Sequence, residues 1–499
     1  PTYAQRRDLC GQRIPGRSDR CLEIAAKVRD IAAAELPRAN PNPANMSYDT
    51  LYFALFLAVT WAAFEVLPWR GLVLLVASIV FYAAAGLRDS LVAATVILAN
   101  FGFQFPLMRD RRWLYPALVF NIGCLAYFKY RVFLATAAGF DVFSQHIIIP
   151  LGISFYIFQL TAFQIDLSRG RAKPFYSLPR FALFKLFFGQ LVAGPIMRWR
   201  QFGPQIHRLF DGTLPRRRLL GIALGLCLVG LIKKVVFADA LAPFVETIFH
   251  NGPVSAAAAW LGIFLFSSQV YFDFSGYSDI ALGLGYLFGL RLAVNFRQPF
   301  TALTPQDFWR RWHITLSFWI RDYIFTPLAL LKGTRAWLGV SLIIAMALAG
   351  LWHGANWTFI VWGVGWALAM LVWHLANRFL IRLGAAQWVL TFGIWLVLLV
   401  FFRSSDVGAA LKYIAVMFGG GSAGTAPLPN DGAGGALIAL GCAGLLALHW
   451  SEGYLHTRRT VLLMRRFDGL LLRALIVGLA LWLLLLPKVQ DNPFIYYRF

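Results

Sequence analysis

Charge is scarce in this chain of 499 residues. Asp, Glu, Lys and Arg together make up 14% of it, against 59% hydrophobic residues. With a mean hydropathy of +0.63, it carries far more apolar surface than a soluble domain of this length can enclose. Strict apolar/polar alternation is missing as well, which excludes a β-barrel. Cysteine is sparse. Cys10, Cys21, Cys124, Cys227 and Cys442 are odd in number and form no C-x-x-C pair, so neither a disulfide framework nor a zinc site is expected. The three within the apolar region read as small buried residues. The chain lacks a Gly-rich phosphate loop, a G-x-S-x-G elbow and an H-E-x-x-H pair, which sets aside nucleotide hydrolases, serine hydrolases and zinc proteases of the familiar kinds. No repeat of fixed period is visible.

What the chain has is a succession of apolar runs. They cover 51–67, 71–86, 91–107, 113–128, 146–165, 219–237, 256–272, 338–351, 355–375, 387–402, 435–449 and 470–486. A membrane-crossing helix needs about 20 such residues. The pattern predicts an all-α, polytopic membrane protein of about 11–13 membrane helices, the short runs being tilted or re-entrant. The stretch 181–197, broken by Gly189, Gly194 and Pro195, reads as a broken or re-entrant segment. So does the polar and aromatic region 273–336, and residues 419–435 read as an exposed loop.

Acidic residues are outnumbered two to one, and the net charge is +23. The basic residues gather in short loops between apolar runs: Arg109, Arg111 and Arg112; Arg169, Arg171 and Lys173; and Arg198, Arg200, Arg208, Arg216, Arg217 and Arg218. That is the positive-inside pattern, so a nucleic-acid partner is not expected. A cytoplasmic loop at 109–112 also places 68–70 and 166–180 inside. Anionic lipid, or an anionic donor molecule, suits the same loops. Residues 1–45 stand apart. They are polar, Arg-rich and without an apolar stretch, so they are not a signal peptide. They read either as a disordered extension or as a start-site artefact with translation beginning at Met46, leaving 46–499 as a single membrane domain.

Three blocks carry chemistry. The most informative is Leu351-Trp352-His353-Gly354-Ala355-Asn356-Trp357, in the middle of an apolar run from Trp337 to Leu375, where an imidazole is costly and marks function. Gly350 and Gly354 allow close backbone approach, and Asn356 is placed to hydrogen-bond a reacting group. The second block runs from Phe308 to Tyr323. Thr304 and Pro305 predict a helix start, after which Trp309, Trp312, His313 and Leu316 share one helix face. Arg310 and Arg311 then point elsewhere and could hold a phosphate or carboxylate, and Asp322 follows. The third block is Tyr271-Phe272-Asp273-Phe274-Ser275-Gly276-Tyr277-Ser278-Asp279. Its two carboxylates and hydroxyls suit a substrate hydroxyl or a cation, or else a polar helix break at Gly276. Lys233 and Lys234, after an apolar run, read as snorkelling anchors.

Together with Pro150-Leu151-Gly152-Ile153-Ser154-Phe155-Tyr156, Asn295-Phe296 and the terminal Pro493-Phe494-Ile495-Tyr496-Tyr497-Arg498-Phe499, these blocks resemble the membrane-bound O-acyltransferases. Within that family the chain is similar to the bacterial polysaccharide branch, which includes alginate O-acetylation, cellulose acetylation and teichoic-acid D-alanylation proteins. The alginate type continues into Pro-Leu-Gly-Gly-Asn-Arg, where this chain reads Pro327-Leu328-Ala329-Leu330-Leu331-Lys332-Gly333. The stretch His313 to Trp319 lies close to the D-alanylation type.

The resemblance implies a funnel with His353 and His313 near its narrow point. His353 would be the general base, and His313 would bind or polarise the donor carbonyl. Trp309, Arg310, Arg311, Asn356, Tyr277, Asp279 and Asp322 would lie around the substrates. It implies no bound cofactor and no metal. The co-substrate would be an acyl thioester, acetyl-CoA or an acyl carrier protein. The acceptor would be an extracytoplasmic polysaccharide, reached directly or through a periplasmic acetyltransferase partner, and the location the bacterial inner membrane. The competing class is a transporter that flips a glycan or lipid and uses the intramembrane His and Asp as proton relays. Transporters usually show matched, broken halves, which this sequence lacks.

Overall fold

The computed structural model describes residues 47–140, 149–191, 194–215, 219–422, 424, 444 and 469–486. The extension 1–45, the run 435–449 apart from residue 444, and the C-terminal motif from Pro493 lie outside these. The regular elements of the described residues are helices. The first elements are α1 (Leu51–Val66), α2 (Arg70–Ala83) and α3 (Leu87–Arg109). After a short 3-10 turn comes α4 (Leu114–Leu125), which passes through a π-helical turn at Ala126–Tyr130 into α5 (Arg131–Ala137). Then follow α6 (Ile153–Ser168), α7 (Leu178–Leu186) and α8 (Trp199–Phe210). Next is α9 (Leu220–Leu231), joined by the π-helical turn Ile232–Ala238 to α10 (Asp239–Asn251), and then α11 (Ala256–Leu287). The later elements are α12 (Pro305–Arg311), α13 (Ile314–Ile320), α14 (Thr326–Ala329), α15 (Arg335–His353), α16 (Trp357–Leu380), α17 (Ala386–Arg403), α18 (Val407–Met417) and α19 (Leu470–Leu485).

Among the described residues, seven helical stretches are long and apolar enough to cross a membrane. They are Leu87–Arg109, Arg111–Ala137, Leu220–Asn251, Ala256–Leu287, Arg335–His353, Trp357–Leu383 and Ala386–Arg403. Four shorter apolar helices accompany them, including α1 and α2. The sequence divides the apolar runs at nearly the same places. The difference is at α11, which runs unbroken through Asp273, Gly276 and Asp279, so the expected break at Gly276 does not occur.

The reason is that α11 is the most enclosed of the seven, and its polar groups are met by protein. Lys233 and Lys234 are not snorkelling anchors. They are 0% and 1% exposed. Lys233 Nζ lies 2.7 Å from Asp279, and Lys234 Nζ lies 2.8 Å from Asp273 and 2.9 Å from Asp239. The π-helical turn adds a residue per turn there, and both ammonium groups reach carboxylates. Gly230 and Gly276 let α9 and α11 approach closely: a Cβ on Gly276 would stand 2.8 Å from the Gly230 carbonyl.

Elsewhere, buried amides tie the first helices together. Asn100 of α3 and Asn121 of α4 exchange two hydrogen bonds of 2.8 and 3.0 Å, and Gln164 of α6 donates to the Asn100 carbonyl. Cys124 and Cys227 are free and half-buried. The stretch after α7 leaves helical geometry at Phe187 and stays buried, with Phe187, Phe188 and Gln190 fully enclosed.

Candidate active site

Three irregular segments converge beside the hairpin of α15 and α16. The first is 194–198, the second the extended loop 290–298, and the third the join between α12 and α13. Thr304 caps α12 as expected, accepting from the Asp307 amide at 3.0 Å. The helix then stops at Arg311, where one continuous helix was expected. Trp312 is extended, and His313 adopts the left-handed region at φ 41°, ψ 52°. Trp309 and His313 therefore do not share a helix face. A non-glycine residue there costs about 1–3 kcal/mol unless its surroundings enforce it. They do so through Asn295, which is fully buried. Its carbonyl accepts from the Ile314 amide at 3.0 Å. Its Oδ1 accepts from the Thr315 amide at 3.3 Å and from the Thr315 hydroxyl at 2.7 Å. The Thr315 hydroxyl in turn accepts from the Ile196 amide at 3.0 Å, so all three irregular segments are stitched at one point. Trp319 fixes α13 to α6, stacking on Phe158 with 3.8 Å between ring centroids and donating to its carbonyl.

His353 is the last residue of α15 rather than the middle of a span. The apolar run 337–375 folds as two helices, turned by Gly354, Ala355 and Asn356. Gly350 and Gly363 make the hairpin tight: a Cβ on Gly350 would collide with the Phe359 carbonyl, and one on Gly363 with the Met346 carbonyl. What shields His353 is protein, and it is 3% exposed. Its ring centroid lies 4.9 Å from Trp352, 5.2 Å from Trp362, 5.2 Å from Phe402 and 6.4 Å from His313. His313 is fully buried, edge-on to Phe274 of α11 at 4.7 Å. Forty residues apart in sequence, the two imidazoles meet in one aromatic-walled site.

The other expected site residues divide into those near this point and those away from it. Trp309 lies 5.7 Å from Trp362, the ring that also contacts His353. The indole N–H groups of Trp309 and Trp362 are buried and have no acceptor among the described residues, an arrangement that is costly unless something else accepts from them. Asn356 caps α16, its Oδ1 accepting from the Thr358 amide at 3.2 Å while its Nδ2 donates to the Ser405 carbonyl at 2.8 Å. Tyr277 stacks on Tyr48 at 4.7 Å, and Asp279 is the partner of Lys233. Arg310 is exposed at the end of α12. Arg311 is engaged by Asp307 at 2.9 Å and donates to Thr301 at 3.0 Å.

Asp322 pairs with Arg198 and Arg321, each at 2.6 Å. Burial pushes its carboxyl up, but the hydrogen bonds and charges of Arg321 and Arg198 outweigh burial and hold it below the usual carboxylate range. Asn295, Thr315, Trp362 and Phe402 were not singled out as site residues from sequence. Among the described residues no cluster of His, Cys, Asp or Glu is arranged to hold a metal ion. A cavity of about 290 Å³, lined by Glu65, Arg70 and Tyr286 among others, is separate from the histidines.

The signature of the membrane-bound O-acyltransferase family matches residues 106–405, a span that contains both histidines and every element around them. The chain belongs to the membrane-bound O-acyltransferase family. It is 36% identical over 399 residues to the probable alginate O-acetylase AlgI of Azotobacter vinelandii, covering 74% of this chain and 77% of that one. It is 34% identical to the peptidoglycan O-acetyltransferase of Helicobacter pylori, with 74% and 77% covered. It is 29% identical to the teichoic acid D-alanyltransferase of Streptococcus thermophilus, with 46% and 58% covered. The protein is thus a multi-pass membrane enzyme of the acyltransferase class, and the transporter reading gives way.

Proposed function

We propose that this O-acyltransferase takes an acyl group, acetyl in the first instance, from a cytoplasmic thioester and passes it across the bacterial inner membrane. The acceptors are hydroxyls of an extracytoplasmic polysaccharide, reached directly or through a periplasmic acetyltransferase partner. The observation that carries the proposal is the meeting of His353 and His313 at 6.4 Å in a buried site. At that separation one oxygen atom can lie within hydrogen-bond reach of both rings. Acetyl is favoured because the relatives matched over three quarters of their length are named for acetyl transfer, whereas the D-alanyltransferase aligns over 46% of this chain. D-alanyl transfer to a teichoic-acid-type polymer is the alternative.

In this reading the His353 imidazole takes the proton of the attacking hydroxyl. The hydroxyl oxygen bonds to the thioester carbonyl carbon, the carbon–sulfur bond breaks, and the departing thiolate recovers the proton from the imidazolium. His313 and the indole N–H groups of Trp309 and Trp362 offer hydrogen bonds to the carbonyl oxygen as it gains charge. Arg310, exposed at the end of α12, is suited to the phosphates of coenzyme A or of a phosphopantetheine arm. Arg311, Asn356, Tyr277, Asp279 and Asp322 would hold the walls of the site rather than bind substrate directly.

Sealed vesicles of both orientations test this. Labelled acetyl-CoA or an acetylated carrier protein is supplied outside, and label is sought in polymer or partner inside. Label crossing only when the cytoplasmic face is outward is the expected result. Label reaching the lumen in neither orientation, with either donor, would overturn the proposal.

A further inference from the structure

Lys129 is 224 residues away from His353 in sequence, yet its ammonium donates to the carbonyl of Trp352 and, at 3.3 Å, to the carbonyl of His353. These are the last two carbonyls of α15. The end of a helix leaves its final carbonyls without a further turn to bind them and carries partial negative charge. The usual remedy, a left-handed glycine after the helix, is not used, because Gly354 is extended at φ −161°. Lys129 supplies the cap instead. It is 8% exposed, and its Nζ sits 5.7 Å from the centre of the Trp352 ring. The π-helical turn Ala126–Tyr130, the only departure from regular geometry between α4 and α5, carries it to that position. A buried lysine spent on two backbone carbonyls is an expensive device, and it is placed at the residue whose imidazole faces His313.

We propose that Lys129 is a positioning residue for His353. It pins the terminal turn of α15, so that the imidazole is held at its distance from His313. This rests on the reading of His353 as the base. Mispositioning a base by about an ångström costs on the order of 10²-fold in rate.

The test compares Lys129→Met, Lys129→Gln, Lys129→Arg and His353→Ala in the full chain, in membranes, using whichever labelled thioester the wild type turns over. Lys129→Met is expected to lose about 10²-fold in kcat with donor KM changed less than about threefold. Lys129→Arg, which keeps donors for the two carbonyls, should recover much of that. In a His353→Ala background Lys129→Met should cost nothing more, because both act through one imidazole. Hydrogen exchange at residues 350–354 should rise in Lys129→Met, a readout that needs no donor.

If Lys129→Met fails to accumulate folded, Lys129→Gln carries the same comparison, with a smaller loss confined to kcat. Wild-type kcat in the folded Met or Gln variant, a loss seen only in KM, or unchanged exchange at the end of α15 would overturn the inference. Full activity of His353→Ala would instead overturn the reading beneath it.

Discussion

At His313 the backbone stands in a conformation that side chains with a Cβ rarely adopt. It is held there by one buried residue, Asn295, whose backbone carbonyl accepts from the Ile314 amide and whose Oδ1 accepts from the Thr315 amide and hydroxyl. This arrangement yields a prediction. Asn295→Ala takes the acceptor from both Thr315 groups, which costs about 1–3 kcal/mol, and lets the turn relax. Thermal unfolding in detergent should fall by a few degrees, and acyl transfer should drop on the order of 10²-fold. Unchanged transfer would show that the turn holds without Asn295. Asp322 gives a pH prediction of known sign. Its carboxyl is held below the ordinary value in the folded protein. The tie from Arg198 to the turn that follows α13 is therefore intact above the unfolded pKa of about 4 and is lost as pH falls through the lower folded value. Unfolding followed between pH 8 and 5 should show no change from this pair. A loss of the Asp322 contribution already at pH 6, measured against Asp322→Asn, would contradict the assignment.

The same logic extends to the helices that carry the histidines. The α15–α16 hairpin presents His353 only because Gly350 and Gly363 allow the backbones to touch. Gly363→Leu should prise the helices apart and reduce transfer by at least about 10²-fold, even where some folded protein accumulates. Retained activity would mean that the hairpin's closeness is not what places His353. Between the π-helical turn after α9 and α11 the issue is stability rather than chemistry. Asp279→Ala takes the carboxylate away from a buried ammonium, which costs about 3–5 kcal/mol, and pairing it with Lys233→Met should restore much of the loss. Thermal melts of the single and double variants decide this. A double variant no better than Asp279→Ala would argue that Asp279 serves the site itself.

How legible the elements were depends on what fixes them. Helix ends set by local chemistry, such as Thr304 and Pro305, can be read from sequence. So can the isolation of His353 in an apolar stretch. The break at Trp312 and His313 could not be read, because neither residue breaks a helix; Asn295, seventeen residues upstream, imposes it. The role of Lys233 and Lys234 was hidden for a related reason. A lysine at the end of an apolar run looks alike whether it reaches water or a carboxylate on another helix.

For the whole molecule, one architecture serves two needs. Apolar helices surround the non-helical backbone at Asn295 and His313, where Asn295 and Thr315 satisfy its polar groups, and Lys129 satisfies the carbonyls that end α15. Residues 106–405, the span that matches the family, contain the whole convergence. The claim that unites these scales is that the two histidines form one reaction centre. The most direct test follows donor thioester cleavage in single-turnover experiments on wild type, His353→Ala and His313→Ala, all shown to be folded. His353→Ala should lose about 10²- to 10⁴-fold in rate, His313→Ala a comparable amount, and the double variant little more than the worse single one. Wild-type cleavage rates in His353→Ala, or losses that simply multiply in the double variant, would contradict the claim.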